Sequence, residues 1–454
     1  MTTIENLRAQ MGGPVITAAD DGYDEARTVY NAMIDRRPDV VAVCTTTADV
    51  VAVVNHARQR GADLAVRGGS HSVPGFGTAD GAVVADLSGM REVRVDPQAR
   101  MAFARGGATL GDVNQATGAH GLAVPGGIIS TTGVGGLTLG GGIGYLSRAH
   151  GLSVDNLESV EIVTADGQVR TASADENPDL YWAVRGGGGN FGVVTEFRFR
   201  LHPVATVLAG PMFFELADGP AVFRHYRDLI ANAPRAYGGF PLFNQAPPLP
   251  FMPENRVGEA LCGVMHCWTG DESEGQALVD SFRQVATPVA EHVGLMPFAD
   301  VNALFDGLVP RGLQHYWKAA FVTELTDDAI DAHFQHGPHV PSMSSTMHIY
   351  PINGACHDVT ADETAFGHRD ASFATVIAGM WPDPAENEAN TAWVKDYYAA
   401  IAPHSEAGGY INFAAADDQA RVPDNFGANY ARLREVKRAY DPENLFHLNQ
   451  NIVP

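Results

Sequence analysis

The chain crowds glycines into three short segments within its first two hundred residues, and the first, Arg67-Gly68-Gly69-Ser70-His71-Ser72, constrains the fold most. Adjacent glycines have no Cβ, so their N–H groups can converge on an anion in backbone shapes other residues avoid. His71 sets a nucleophilic imidazole beside that backbone. The residues ahead of the loop read as strand, helix, strand: apolar Val40 to Cys44, then Val50, Val51, Val54 and Ala57 on one helical face up to Gly61, then Leu64 to Val66. The loop therefore leaves a strand end, where ligands sit in α/β folds. Alone, such a loop reads as a plain turn. The two segments downstream change that reading.

The second segment runs from Gly126 to Tyr145 and is followed by Leu152-Ser153-Val154-Asp155-Asn156-Leu157. So many glycines beside a few hydroxyls suit a surface over which a flat ring and a pyrophosphate run close to the main chain. The third is Trp182-Ala183-Val184-Arg185-Gly186-Gly187-Gly188-Gly189-Asn190-Phe191-Gly192-Val193-Val194-Thr195. Its Gly187, Gly189 and Gly192 satisfy the G-x-G-x-x-G spacing of a nicotinamide site. That reading is rejected, because Val193 to Leu201 reads as a strand and the Rossmann mechanism needs a helix N-terminus there.

In this order the three segments resemble the vanillyl-alcohol-oxidase and p-cresol-methylhydroxylase flavoproteins, most closely their berberine-bridge-enzyme-like branch. The segment Tyr440-Asp441-Pro442-Glu443-Asn444-Leu445-Phe446-His447-Leu448-Asn449-Gln450-Asn451-Ile452 resembles that branch's closing signature. The resemblance spans most of 40–200 and again 405–454. It implies an α+β, two-domain flavoprotein: a split FAD-binding domain, 1–202 and 405–454, and an inserted substrate domain, 203–404, built on an antiparallel sheet backed by helices. It also implies FAD tethered covalently through His71. Many members add a cysteinyl tether within the second segment, where this chain has Ile129. Isoleucine cannot supply a thiolate, so a monocovalent flavin is expected.

The cofactor-binding residues implied are Arg67, Gly68, Gly69, Ser70, His71 and Ser72, with Gly77 just beyond. The second segment adds Thr132, Gly133, Gly136, Gly140, Gly141 and Gly144. Asn156 and Val194 follow, then Tyr410, Asn412, Asn449 and Asn451 near the C-terminus.

A flavin accepts a hydride, and the paired proton must reach a base. The segment Gly409-Tyr410-Ile411-Asn412-Phe413 resembles the family's Tyr-x-Asn-Tyr/Phe strand at the flavin edge, and alternation would put Tyr410 and Asn412 on one face. Several members carry tyrosine where this chain has Phe413, which leaves Tyr410 as the local candidate against a packed core tyrosine. Alternation also pairs Tyr316 with Lys318 and His348 with Tyr350, and Tyr145 ends the second segment. Lys318 and Tyr145 join Tyr410 as catalytic candidates, with satisfied core positions the competing reading for each.

A length of 454 residues favours two domains, and 45% hydrophobic against 18% charged residues implies a large buried interior. The formal charge of −23 disfavours nucleic acid and anionic membrane as partners. Neither a signal segment nor a spanning apolar run is present, which reads as a cytoplasmic protein. Cys44, Cys262, Cys267 and Cys356 fit no metal spacing and read as buried free thiols. No metal is expected. Beyond residue 202, helical stretches at 219–233, 271–285 and 326–335 alternate with strand-like ones at 258–268, 316–321, 344–350 and 372–381, and a helix from about 385 to 400 leads back to Gly409. The expected activity is oxidation of a C–H bond beside O or N in a small organic substrate, with molecular oxygen reduced to hydrogen peroxide. A dehydrogenase using another acceptor, or a flavin carrier without turnover, are the alternatives.

Overall fold

The computed structural model describes residues 3–454. Its first sheet grows from the expected strand–helix–strand: β1 (Val40–Val43), α1 (Thr47–Arg60), β2 (Leu64–Arg67), then β3 (Val83–Asp86). A capping box between Thr46 and Asp49 starts α1, and Gly61 at φ 61° ends it in the left-handed region. Val50, Val53, Val54 and Ala57 are the buried face of α1. β3 lies between β1 and β2 in parallel register, so the ends of β2 and β3 point to the same side.

A second, antiparallel sheet of five strands includes β4 (Val193–Arg200) at its centre. The strand after the third glycine segment is therefore real, as the rejection of the nicotinamide reading required.

The third sheet has eight strands, all between Thr206 and Trp381. Four matter for the site: β5 (Phe240–Gln245), β6 (Gln314–Val322), β7 (Thr346–Pro351) and β8 (Phe373–Trp381), in spatial order β5, β7, β8, β6. Helices Gly219–Asn232, Glu272–Val285, Asp327–His336 and Asn387–Ile401 bury residues in the core cluster on one side of it, including Phe223, Phe282, Ile330 and Val394. Together these elements are an α+β fold. Strands Thr206–Phe214 and β5 escape the sequence patterning. Gly210 and Pro211 interrupt the first, and a Cβ at Gly210 would stand 1.7 Å from His292 O.

One expectation fails here. Tyr410 to Phe413 is not a strand: Ile411–Phe413 forms a single 3₁₀ turn, with the Phe413 N–H donating to Tyr410 O. The segment bonds to itself, without a neighbouring strand for Ile411 to Phe413 to pair with. The final helix, α2 (Tyr430–Tyr440), packs Leu433 and Val436 into the same core as Val194 and Phe197 of β4.

Candidate active site

A cavity of about 2400 Å³ of atom-free space, mouth included, runs between the glycine segments, the C-terminal signature and one face of the eight-stranded sheet. The loop after β2 forms one wall. Arg67 is buried, and its guanidinium donates to Asp86 at 2.6 Å and to Ala26 O at 2.7 Å, so it braces the loop base with its charge already paired. Ser70 sits at φ 66°, strained backbone of the kind that collects at functional sites. Gly69 and Gly133 interlock: a Cβ on Gly69 would lie 2.3 Å from Gly133 N, and one on Gly133 2.3 Å from Gly69 N. Two separate segments thus require glycine at the same point.

His71 lines the cavity beside this crossing. Its ring stacks on Tyr30, and its Nε2 is 3.0 Å from Thr131 Oγ1. Loss of hydration lowers its pKa to about 3, with His315 and Arg311 adding to the effect. The imidazole is therefore neutral across the working pH range. Ile129 also lines this part of the cavity.

Of the residues expected to hold cofactor, Arg67 to Ser72, Gly77, Thr132, Gly133, Gly136, Val194, Asn412 and Asn449 line the cavity. Six do not. A Cβ at Gly140 would meet Asn412 Oδ1 at 2.2 Å, and one at Gly144 would meet Gly126 O at 1.9 Å. Gly141, at φ 133°, faces Phe366 and Tyr410. Asn156 donates to His150 O and Leu152 O, and Asn451, its Oδ1 buried without a partner, does not line the cavity. These glycines permit tight packing of protein on protein. Tyr410 is 1% exposed, and its hydroxyl accepts from Gly142 N–H and Asn412 Nδ2, both at 2.8 Å.

The other two catalytic candidates also face away. Lys318 pairs with Asp417 at 2.8 Å and Asp418 at 2.7 Å, on the side of β6 that it shares with Tyr316. The residues of β6 that line the cavity are His315 and Trp317, on the opposite face. Tyr145 stacks on Phe240, rings 5.7 Å apart, outside the lining. His348 and Tyr350 do share the inner face of β7, with His348 Nδ1 2.7 Å from Tyr350 Oη.

Sequence reasoning missed Tyr30, Gly188, Gly189, His315, Trp317 and Gln450. Gly188 and Gly189 belong to a segment already singled out, from which only Val194 was carried over as a cofactor residue. Nothing local marks Tyr30. Asn31 next to it accepts the His315 N–H and donates to Val73 O and His315 O, which ties the histidine loop to β6. Among the described residues no three His, Cys, Asp or Glu side chains converge as a metal site, and the four cysteines are buried free thiols.

A family model described as "FAD binding domain" matches residues 38–173, and one described as "Berberine and berberine like" matches 409–453. An uncharacterized FAD-linked oxidoreductase of Bacillus subtilis, YgaK, is 30% identical over 458 residues, covering 98% of each chain. The chain belongs to the berberine-bridge-enzyme-like branch of the vanillyl-alcohol-oxidase and p-cresol-methylhydroxylase flavoproteins. It is an FAD-linked oxidoreductase. Solved structures agree with the placement in this branch. That of 6-hydroxy-D-nicotine oxidase from Arthrobacter nicotinovorans aligns with a TM-score of 0.86 at 27% identity over 98% of both chains. The fold is also that of glucooligosaccharide oxidase from Acremonium strictum, with a 6-S-cysteinyl, 8α-N1-histidyl FAD, at a TM-score of 0.86, 24% identity and 100% and 99% coverage.

The residues present fit the flavin that this branch binds. A Cβ at Gly136 would meet nothing within 4 Å, so the backbone there stands open to the cavity. Asn449 Oδ1 and both polar atoms of the Gln450 side chain are buried without a partner at the cavity's edge, a demand for a polar ligand.

Proposed function

We propose that this berberine-bridge-enzyme-like flavoprotein is an oxidase holding FAD through one covalent bond, from His71, and oxidising a C–H bond beside O or N in a small organic molecule. The neutral imidazole of His71, facing the cavity with Nε2 engaged by Thr131, carries this reading. The tautomer in which Nε2–H donates to Thr131 Oγ1 leaves the Nδ1 lone pair free as nucleophile. Burial supports attack by keeping that lone pair unprotonated. Ile129, aliphatic where a second tether would stand, supports a single bond.

The division of labour follows the chain. Residues 1–202 and 405–454 hold the cofactor, and 203–404 supply the wall against which substrate lies. Bound FAD supplies the two-electron acceptor, and molecular oxygen takes the electrons on as hydrogen peroxide. The protein's own work is to orient the substrate, exclude water and accept one proton.

Acid-precipitated protein tests the reading. The pellet is expected to stay yellow, and the tryptic peptide containing His71 to carry the mass of FAD. Release of all flavin into the supernatant would overturn the tether. Absence of peroxide with any reducing substrate would overturn the oxidase.

A further inference from the structure

The sheet wall of the cavity has a definite chemistry, set by register. Asn244 pairs with Thr346, Thr346 with Ala378, and Ala378 with Trp317, so one row crosses four strands with a small residue near its middle. The next row carries Leu242, His348 and Val376. Phe413 closes on this wall from the C-terminal segment, its ring 5.9 Å from that of Trp317 and 6.1 Å from that of Tyr350. Among the described residues no Asp, Glu or Lys lines the cavity, and the one Arg that does, Arg67, is paired with Asp86. A buried ammonium or carboxylate would find no counter-charge there.

Hydrogen-bonding capacity is also scarce. Thr346 Oγ1 already donates to Phe243 O, and Asn244 Nδ2 to Met343 O and Ser345 O. Trp317 Nε1 and His315 Nε2 remain, both buried without a partner, with the Ser344 hydroxyl and Asn244 Oδ1 as the other open groups of the wall. A sugar, with a hydroxyl on nearly every carbon, would bury most of them unpaired. Three aromatic rings around the space suit a flat apolar ring system.

The Tyr350–His348 pair is the remaining polar feature. Two other such pairs, Tyr237 with His266 and Tyr397 with His333, are enclosed in the core. Tyr350 and His348 open on the cavity instead.

We propose that the site takes an uncharged aromatic or polycyclic alcohol, and that Tyr350, backed by His348, receives the hydroxyl proton. The proposal rests on the oxidase reading above. The substrate's O–H bond breaks as its proton passes to Tyr350 Oη while the Tyr350 proton passes to His348 Nδ1. The C–H bond breaks with its electron pair, which goes to FAD, and C–O becomes C=O. Tyr350 is then a catalytic residue and His348 the proton store behind it: burial lowers its pKa to about 3 and so keeps it neutral until the step, and the negative charge that the hydride carries to FAD balances the imidazolium it becomes. Tyr145 and Tyr410 are the other ionisable groups beside Tyr350, and burial raises the pKa of each, so both phenols stay neutral.

Three probes added anaerobically to the holoenzyme test the ligand class through flavin difference spectra: 2-naphthalenemethanol, 2-naphthylmethylamine and cellobiose. The alcohol is expected to bind at least about tenfold tighter than either other probe, the scale of one unpaired buried polar group. Tighter binding of the amine or the sugar, or no spectral change with the alcohol, overturns the proposal. Tyr350→Phe keeps ring and packing, so binding survives, while flavin reduction by the alcohol slows by about 10² to 10⁴. In His348→Gln, binding holds but reduction becomes dependent on raising the pH, because Tyr350 must then ionise without a store. A parental rate in the first variant, or a parental pH profile in the second, overturns the proton path. Peroxide formed from cellobiose would leave the oxidase reading standing and remove this one. Colourless protein would remove both.

Discussion

The imidazole of His71 lies against the ring of Tyr30, centroids 3.8 Å apart and planes 26° from parallel. The Tyr30 hydroxyl donates to Val309 O, so the tyrosine is held by the end of the 3₁₀ turn Asp306–Leu308. Asn31 adds the tie to β6. An imidazole that must attack one carbon needs its plane and tautomer set in advance. Tyr30 sets the plane, and Thr131 the tautomer. Tyr30→Ala is expected to lower the fraction of flavin retained after acid washing while leaving FAD bound without the bond, and Tyr30→Phe to keep it. Thr131→Val should act as Tyr30→Ala does. Flavin fluorescence of denatured protein on a gel reads the fraction, and equal fluorescence in Tyr30→Ala and the parent would contradict the role.

Tyr410 holds two donors rather than a substrate. Removing its hydroxyl in Tyr410→Phe leaves Gly142 N–H and one Asn412 Nδ2 bond unmet in a buried place. The expected loss is about 1 to 3 kcal/mol of stability, seen as a lower denaturant midpoint. Flavin reduction should continue at close to the parental rate. A large rate loss without destabilisation would return Tyr410 to the chemistry.

Lys437 and Asp441 form a fully buried ion pair at 2.6 Å, i to i+4 at the end of α2. Lys437 Nζ also donates to Asn190 O and Phe446 O, while Asp441 accepts from the Leu445 and Phe446 N–H groups. The pair fastens the closing signature to the third glycine segment. Lys437→Met strands the carboxylate, and the expected cost is about 3 to 5 kcal/mol. Thermal unfolding should fall accordingly, with lower flavin content in the purified protein. An unchanged melting temperature would show that the carboxylate finds another partner.

His266 and His333 are buried, each beside a tyrosine hydroxyl, and burial lowers both pKa values to about 3. The unfolded chain takes up these protons near 6.5, so below that pH it binds more protons than the native state. Their neutral forms thus favour the fold in full above 6.5, and this contribution is lost as pH falls from there toward 3. Denaturant midpoints should be flat between pH 7 and 8 and fall steadily between 6.5 and 5. A midpoint at pH 5 equal to that at 7.5 would contradict the burial of neutral imidazole.

Much of the cofactor wall was legible because its signals are local. A residue without a Cβ allows close backbone approach wherever it sits, so Gly68, Gly69 and Gly133 could be read before any contact was known. The helix after β1 carried its own cap and its own αL stop. Glycine does not announce what approaches it, however. Gly136 opens on the cavity, while Gly140 and Gly144 in the same segment admit protein atoms.

The sequence by itself determined the family, the alternation of the sheet strands and the pairing of residues on common faces. Only tertiary structure decided which face turned inward. In β6 the period of two groups His315 with Trp317 and Tyr316 with Lys318, but both sets are polar or aromatic, so hydrophobicity does not choose between them. The choice came from Asp417 and Asp418, about a hundred residues along the chain, which draw Lys318 to their side and leave His315 and Trp317 to the cavity. Register within a strand is a local property. Burial of a charge depends on where its partner arrives, and that is settled only when distant segments meet.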